Sequence, residues 1–178
     1  MGPVGSGKSE QTHRLSERMG INTISTSSLL RDNLTPEREA KMQAGDLVDD
    51  QEIIELLQPK IKEKMAAKAD FILDGFPRSI PQAQWLVKQI SMDRISLTAI
   101  IKLNVRDQVV MSRMLARGRS DDQKDIIEHR LETYHQYTDP VVNFLNNNGV
   151  EVYEIDGEQT PREIEAQIKD IIDAAKNH

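Results

Sequence analysis

The chain has 178 residues, no cysteine, a formal net charge of −6, 38% hydrophobic residues and 29% charged ones, which suits a single soluble globular domain with one core. The absence of cysteine excludes disulfides and thiolate zinc sites. The acidic balance argues against a nucleic-acid partner, and no apolar run nears the roughly 18 residues of a membrane-spanning helix.

The first residues read MGPVGSGKSE, in which Gly2, Gly7, Lys8 and Ser9 fit the phosphate-binding pattern G-x-x-x-x-G-K-[ST]. Glycines let backbone N–H groups converge on phosphate oxygens, and the helix that follows adds the partial positive charge of its N-terminus. Lys8 is placed to reach the β- and γ-phosphates, and the Ser9 hydroxyl to meet magnesium. A polar glycine loop stands where a secretory peptide needs a basic head and an apolar run, so a cytoplasmic location is expected. The loop says only that a nucleotide binds; a small-molecule kinase, a GTPase and a motor ATPase share it.

The stretch from Ser9 predicts a helix closed by Gly20, followed by a strand over 21–25. Two short helices are expected next, the first capped by Ser27 or Ser28 and the second starting near Pro36. A longer helix covers about 50–68, with Ile53, Ile54, Leu57 and Ile61 at core-facing spacing. FILDGFPR is a strand broken by Gly75 and Pro77, so that Asp74 and Arg78 arrive at its carboxyl end, where open α/β sheets bind ligands. A helix over 80–90, a strand over 97–103, a helix over 106–118, a helix over 123–138, a strand over 150–155 and a last helix from Pro161 complete the chain. Alternation of strands with helices implies right-handed crossovers and a parallel sheet, hence an α/β fold.

Arg31 and Arg78 follow neighbouring strands and could fork onto one phosphate. Arg113 and Arg117 lie one helical turn apart, Arg119 follows, and Arg130 sits on the next helix. Phosphoryl transfer needs distributed positive charge more than a covalent nucleophile, which such a set supplies. The competing reading is ordinary surface pairing with Asp121, Asp122 or Glu128, which is about even for one arginine and loses for four beside a phosphate loop.

The segments GPVGSGKS, ISTSSLLR, AGDLVDD, DGFPRSIPQA, RGRSDD and HRLETYHQYTDPV, in this order and nearly spanning the chain, resemble the adenylate kinases among the nucleoside monophosphate kinases. The resemblance implies a P-loop three-layer α/β/α domain over residues 1–178 with a central parallel sheet of order 2-3-1-4-5. It further implies an NMP-binding insertion at about 25–48 and a short lid at about 116–122, without a metal-holding insertion. The family's first strand, directly before the loop, is missing from this sequence, and about five apolar residues are expected upstream. The implied reaction is reversible, Mg²⁺-dependent transfer of the γ-phosphoryl group of ATP to AMP, giving two ADP, by a cytoplasmic monomer without nucleic-acid or membrane partners. A UMP/CMP kinase and a noncatalytic nucleotide-binding module are the alternatives.

Carried over by position, Gly5, Ser6, Gly7, Lys8, Ser9 and Glu10 match the ATP-phosphate loop, and Arg113 lies against the ATP base. Thr26, Arg31, Gly75, Phe76, Pro77, Arg78 and Gln82 match the AMP pocket, with Arg31 and Arg78 on the phosphate and Gln82 on the adenine edge. Asp46, Leu47 and Val48 face the AMP ribose and base, with Met42 and Ile53 beside them. Arg117, Arg119 and Arg130 gather around the phosphates when the lid shuts, so that with Lys8 and Arg78 they form the catalytic set. Ser9 and Asp74 are the magnesium candidates, Asp74 through water. Thr26 matches the AMP-preferring relatives. The family commonly has G-K-G-T and S-T-G-D where this chain has Lys8-Ser9-Glu10 and Ser25-Thr26-Ser27-Ser28; Glu10 is expected to face solvent from the first helical turn.

Overall fold

A computed structural model describes residues 1–119 and 121–176. The phosphate loop feeds helix α1 (Lys8–Met19), which ends with Gly20 in the left-handed cap expected of it. Strand β1 (Asn22–Ser25) passes directly into α2 (Thr26–Asp32). Ser27 and Ser28 therefore lie inside α2; Ser25 holds the cap position without a side-chain bond, which corrects the expected cap. Helix α3 (Pro36–Ala44) starts at proline behind the Thr35 cap, whose side chain accepts from the Arg38 N–H. Helix α4 (Asp50–Ala66) is capped by Asp49, which accepts from the N–H groups of Gln51 and Glu52.

Strand β2 (Phe71–Asp74) pairs in parallel with β1, and α5 (Ile80–Ser91) follows behind the Ser79 cap. Strand β3 is limited to Ile100–Asn104, shorter at its start than the apolar run suggested, and α6 (Asp107–Arg117) leaves its carboxyl end. The long helix expected over 123–138 is α7 (Lys124–Thr133) followed by a π-helical turn, Tyr134–Thr138. The chain then continues into α8 (Asp139–Asn147), which sequence reading left unassigned. Its signature was present: Pro140 in the first turn, then Val141, Val142 and Leu145, all buried, on one face. Strand β4 (Val152–Asp156) pairs in parallel with β3, and α9 (Pro161–Lys176) ends the described chain.

Among the described residues the strands form two parallel pairs, β1–β2 and β3–β4, and no strand joins β2 to β3. The backbone of Met1 lies along β3: its amine donates to the Ile101 carbonyl, and its carbonyl accepts from the Leu103 N–H at 3.0 Å. The main core lies between α4, α5 and α8, where Leu57, Ala83, Val141 and Leu145 are fully buried. A smaller cluster of Leu103, Ile155, Ile164 and Ile168 packs α9 on the opposite face of β3 and β4. Helices thus cover both faces of the β3–β4 pair and leave its carboxyl end to the loops.

Candidate nucleotide site

The register Ser25↔Asp74 sets the two residues that follow, Thr26 and Gly75, side by side at the carboxyl ends of β1 and β2. The Thr26 hydroxyl reaches the carbonyls of Asp74 (3.3 Å) and Gly75 (3.2 Å). Gly75 has φ +83°, and a Cβ there would overlap the Thr26 hydroxyl and lie 2.8 Å from Arg78 Nη2, so only glycine lets the chain turn this close to both side chains. Arg78 folds back to donate from Nε to the Gly75 carbonyl (2.9 Å), and its own carbonyl accepts from the Thr138 hydroxyl (2.8 Å). The π-helical turn thereby braces the strand end that carries Asp74 and Arg78.

The phosphate loop meets the same strand end. The Ser9 hydroxyl faces Asp74 Oδ2 at 3.5 Å, which brings together the two magnesium candidates. Lys8 is half-buried and curls over the loop, donating to the carbonyls of Gly2 (2.8 Å) and Pro3 (2.6 Å) and reaching the Ser6 hydroxyl at 3.4 Å. Burial pushes its ammonium down to about 7; Arg78 acts the same way, and Asp74 opposes. Burial also holds Arg78 below its ordinary value, with Asp74 opposing and Arg130 adding to the depression. Arg78 is therefore close to both Lys8 and Arg130; Asp74 offsets part of the charge of Lys8 and Arg78, and Arg130 is paired with Asp121. The net positive charge at this strand end is of the sign that attracts anions. Glu10 is exposed and bonded to Arg14 at 2.6 Å, as expected of a first-turn carboxylate.

The remaining arginines are arranged otherwise than a ring of bare cations. Arg117 makes a bidentate pair with Asp122 (Nε–Oδ2 2.9 Å, Nη2–Oδ1 2.7 Å), and the Arg119 N–H donates to the same carboxylate at 3.0 Å. The Arg117 pair raises its guanidinium and holds Asp122 below the usual carboxylate range. Arg130 donates to Asp121 (2.7 Å) and to the Met42 carbonyl (3.2 Å). Arg117 and Arg130 are thus paired with Asp122 and Asp121, the partners of the competing reading, although the Asp122 side chain is buried and not at the surface. Arg119 is exposed; Ser120, within the expected lid, lies outside the described residues. Arg31 is exposed and bonds Ser28 at 3.2 Å. Arg113 donates to the Gly157 carbonyl at 3.0 Å, tying α6 to the loop after β4.

The segment after α3 rests on α7. Asp46 Oδ1 lies 2.7 Å from His129 Nε2, and Gly45, at φ +88°, faces the Arg130 side chain so closely that a Cβ would come within 2.8 Å of its Cγ. Met42 and Leu47 are half-buried beside this contact, and Val48 and Ile53 are in the core. Phe76 is buried edge-on to Trp85, ring centroids 5.8 Å apart, and the Phe76–Pro77 peptide is cis. Gln82 is 2% exposed and held at both ends of its carboxamide: Oε1 accepts from the Arg78 N–H (2.9 Å) and Nε2 donates to Asp50 (2.8 Å). Asp50, Ser79, Thr138 and His129 were missed by the sequence reading; only the acidic pair Asp49-Asp50 before a helical pattern hinted at one of them. A cavity of about 550 Å³ is lined by Pro3 of the phosphate loop and by Lys102, Tyr134, His135, Asp139 and Glu154 among others, and by none of the predicted site residues.

The family model described as adenylate kinase matches residues 1–150. An adenylate kinase of Synechococcus sp. (strain CC9902) is 34% identical over 179 residues, covering 97% of this chain and 96% of that protein. An adenylate kinase of Thermus thermophilus is 35% identical over 179 residues, with 95% and 92% covered. An adenylate kinase of Mycobacterium sp. (strain MCS) is 37% identical over 149 residues, with 80% and 82% covered.

Proposed function

This chain belongs to the adenylate kinase family, and on that premise we propose that its cationic cleft seats ATP and AMP head to head. It is a nucleoside monophosphate kinase that interconverts ATP and AMP with two ADP; the pyrimidine-specific alternative is not favoured by its relatives. The observation that carries the site assignment is the convergence of Lys8, Ser9, Asp74 and Arg78 at one strand end, with Arg130 close enough to act on Arg78.

In this reading the loop from Gly5 to Glu10 holds the ATP phosphates by backbone N–H groups, and Lys8 leaves the Gly2 and Pro3 carbonyls to follow the transferred group. Arg78, with Arg31, holds the AMP phosphate, and Thr26 and Gly75 line its pocket. Arg117, Arg119 and Arg130 exchange their present partners for phosphate oxygens as the lid at 116–122 and the insertion at 25–48 close. Arg113 lies against the ATP base. Closure expels water, which would otherwise compete as acceptor. A hydroxyl and a carboxylate are hard oxygen donors, so Ser9 and Asp74 fit magnesium, with Asp74 acting through water. Magnesium, when bound, neutralises charge on the phosphate oxygens. The pairs β1–β2 and β3–β4 suit positions 2-3 and 4-5 of the family's five-stranded order, with Met1 aligned along β3 as the end of the central strand would be.

ADP formation from ATP with AMP, UMP, CMP or GMP tests the activity: AMP is the expected acceptor, and ATP binding without ADP formation would sink the proposal. Arg78→Ala should raise the KM for AMP at least tenfold, whereas Lys8→Ala should lower kcat by about 10²–10³. Wild-type turnover and KM in both variants would remove the role assignments.

A further inference from the structure

A glutamine side chain can read a base in two opposite senses, because rotating its carboxamide exchanges a donor for an acceptor. The surroundings of Gln82 admit one sense only. Its Oε1 accepts from the backbone N–H of Arg78 at 2.9 Å, a group that can only donate. Its Nε2 donates to Asp50 Oδ1 at 2.8 Å, a carboxylate that can only accept. Rotation would set donor against donor and acceptor against acceptor in a setting that leaves Gln82 2% exposed.

The carboxylate is itself held. Ser79, buried at the cap of α5, donates its hydroxyl to the same Asp50 Oδ1 at 2.6 Å. Asp50 is the first residue of α4, next to the Asp49 cap and two residues after the Asp46–Val48 segment. The orientation of Gln82 is therefore set from the end of the AMP-side insertion.

We propose that Asp50 is a positioning residue that locks the Gln82 carboxamide and so selects acceptor bases presenting an amino group beside an unprotonated ring nitrogen. The proposal rests on the reading of Gln82 as the residue that touches the acceptor base. In the locked orientation Gln82 retains one N–H for a ring nitrogen and one lone pair for an amino group. Adenine and cytosine offer that pair; hypoxanthine, guanine and uracil offer a carbonyl beside a ring N–H and meet like polarity twice. AMP, the acceptor of the proposed function, satisfies this pattern, and IMP, GMP and UMP do not.

The sharpest probe is AMP against IMP, which differ at the six-position while keeping purine shape. In Asp50→Asn the new amide can donate as well as accept, so one of the two restraints on Gln82 is lifted and only the Arg78 N–H still opposes rotation. The kcat/KM ratio of AMP over IMP should fall about tenfold, through KM for the acceptor more than kcat, with KM for ATP unchanged. An unchanged ratio would overturn the role of Asp50. Gln82→Ala separates the two levels: if the ratio survives its removal, Gln82 does not read the base and both readings fall. If the ratio collapses in Gln82→Ala yet holds in Asp50→Asn, base reading stands and the lock is wrong. Should Asp50→Asn fail to fold, the wild-type protein still decides. Its Gln82 carboxamide protons should be protected from exchange with solvent, free and with AMP, and exchange as fast as that of an exposed glutamine would refute the lock.

Discussion

Lys8 holds the loop together when no phosphate is present, and that double duty has a measurable cost. Its ammonium is satisfied by the Gly2 and Pro3 carbonyls, yet burial and Arg78 push it down to about 7. A lysine depressed in the folded state costs stability below that value, and the cost is relieved as pH rises toward the unfolded value of about 10.4. A triphosphate reverses the balance by supplying negative charge to the same ammonium. ATP binding at pH 8 should therefore take up about one proton and at pH 6 almost none, seen by calorimetry in buffers of different ionisation enthalpy. The uptake should vanish in Lys8→Ala; equal uptake in variant and wild type would place the titrating group elsewhere. The motif makes Lys8 recognisable in the sequence, but its half-buried position beside Arg78 depends on β2 arriving 66 to 70 residues later along the chain.

At the scale of elements, most helices and strands follow from local pattern, and the departures share one cause. The period of apolar residues located α4 and α5, and turn chemistry located α3, because these signals lie within one or two turns of chain. Ser27 and Ser28 looked like caps because serine favours caps, but the pairing of β1 with β2 ends at Ser25, so the helix starts at Thr26 and absorbs both serines. Helix α8 was missed because the π-helical turn before it keeps the chain helical while shifting the face of its apolar residues. Leu145, fully buried on α8, tests that assignment. Leu145→Ala should cost about 2–5 kcal/mol in urea unfolding, against under about 0.5 kcal/mol for an exposed loop position. A loss of that smaller size would mean α8 is not part of the core.

Across the whole molecule, charge ties together elements that the sequence separates widely. His135 faces Asp139 at 2.7 Å and Asp107 at 3.1 Å, while Lys102 of β3 bonds Asp139 and Glu154 of β4. Asp139, then Asp107, raise the His135 imidazolium despite partial burial, and the Tyr134 ring stands edge-on at 5.5 Å. A histidine raised in the folded state contributes stability fully below its unfolded value of about 6.5 and loses it as pH climbs through the folded value. The melting temperature of wild type should exceed that of His135→Gln by about 2 °C at pH 6, and the gap should close by pH 9. A gap that widens with pH would show the sign to be wrong. Asp139 has the opposite slope: it is held below its ordinary value by His135 and Lys102 against the cost of burial, so its contribution fades as pH falls below about 4. No helix among the described residues is long and apolar enough to cross a membrane.

The phosphate loop, the glycine and proline at the end of FILD, the sequence order of the arginines and the helical periods are all local facts, and the sequence alone determined them. Which arginine stands bare was decided only in three dimensions. Arg117 and Arg130 sit on Asp122 and Asp121, while Lys8 and Arg78 share a strand end with one carboxylate between them. The engagement of Gln82 by Asp50 and Ser79, which joins the starts of α4 and α5, belongs to the same class. Local patterns act through neighbours a turn or two away. Charge balance and hydrogen-bond direction depend on which distant backbone ends the strand register and helix packing bring within about 3 Å of one another.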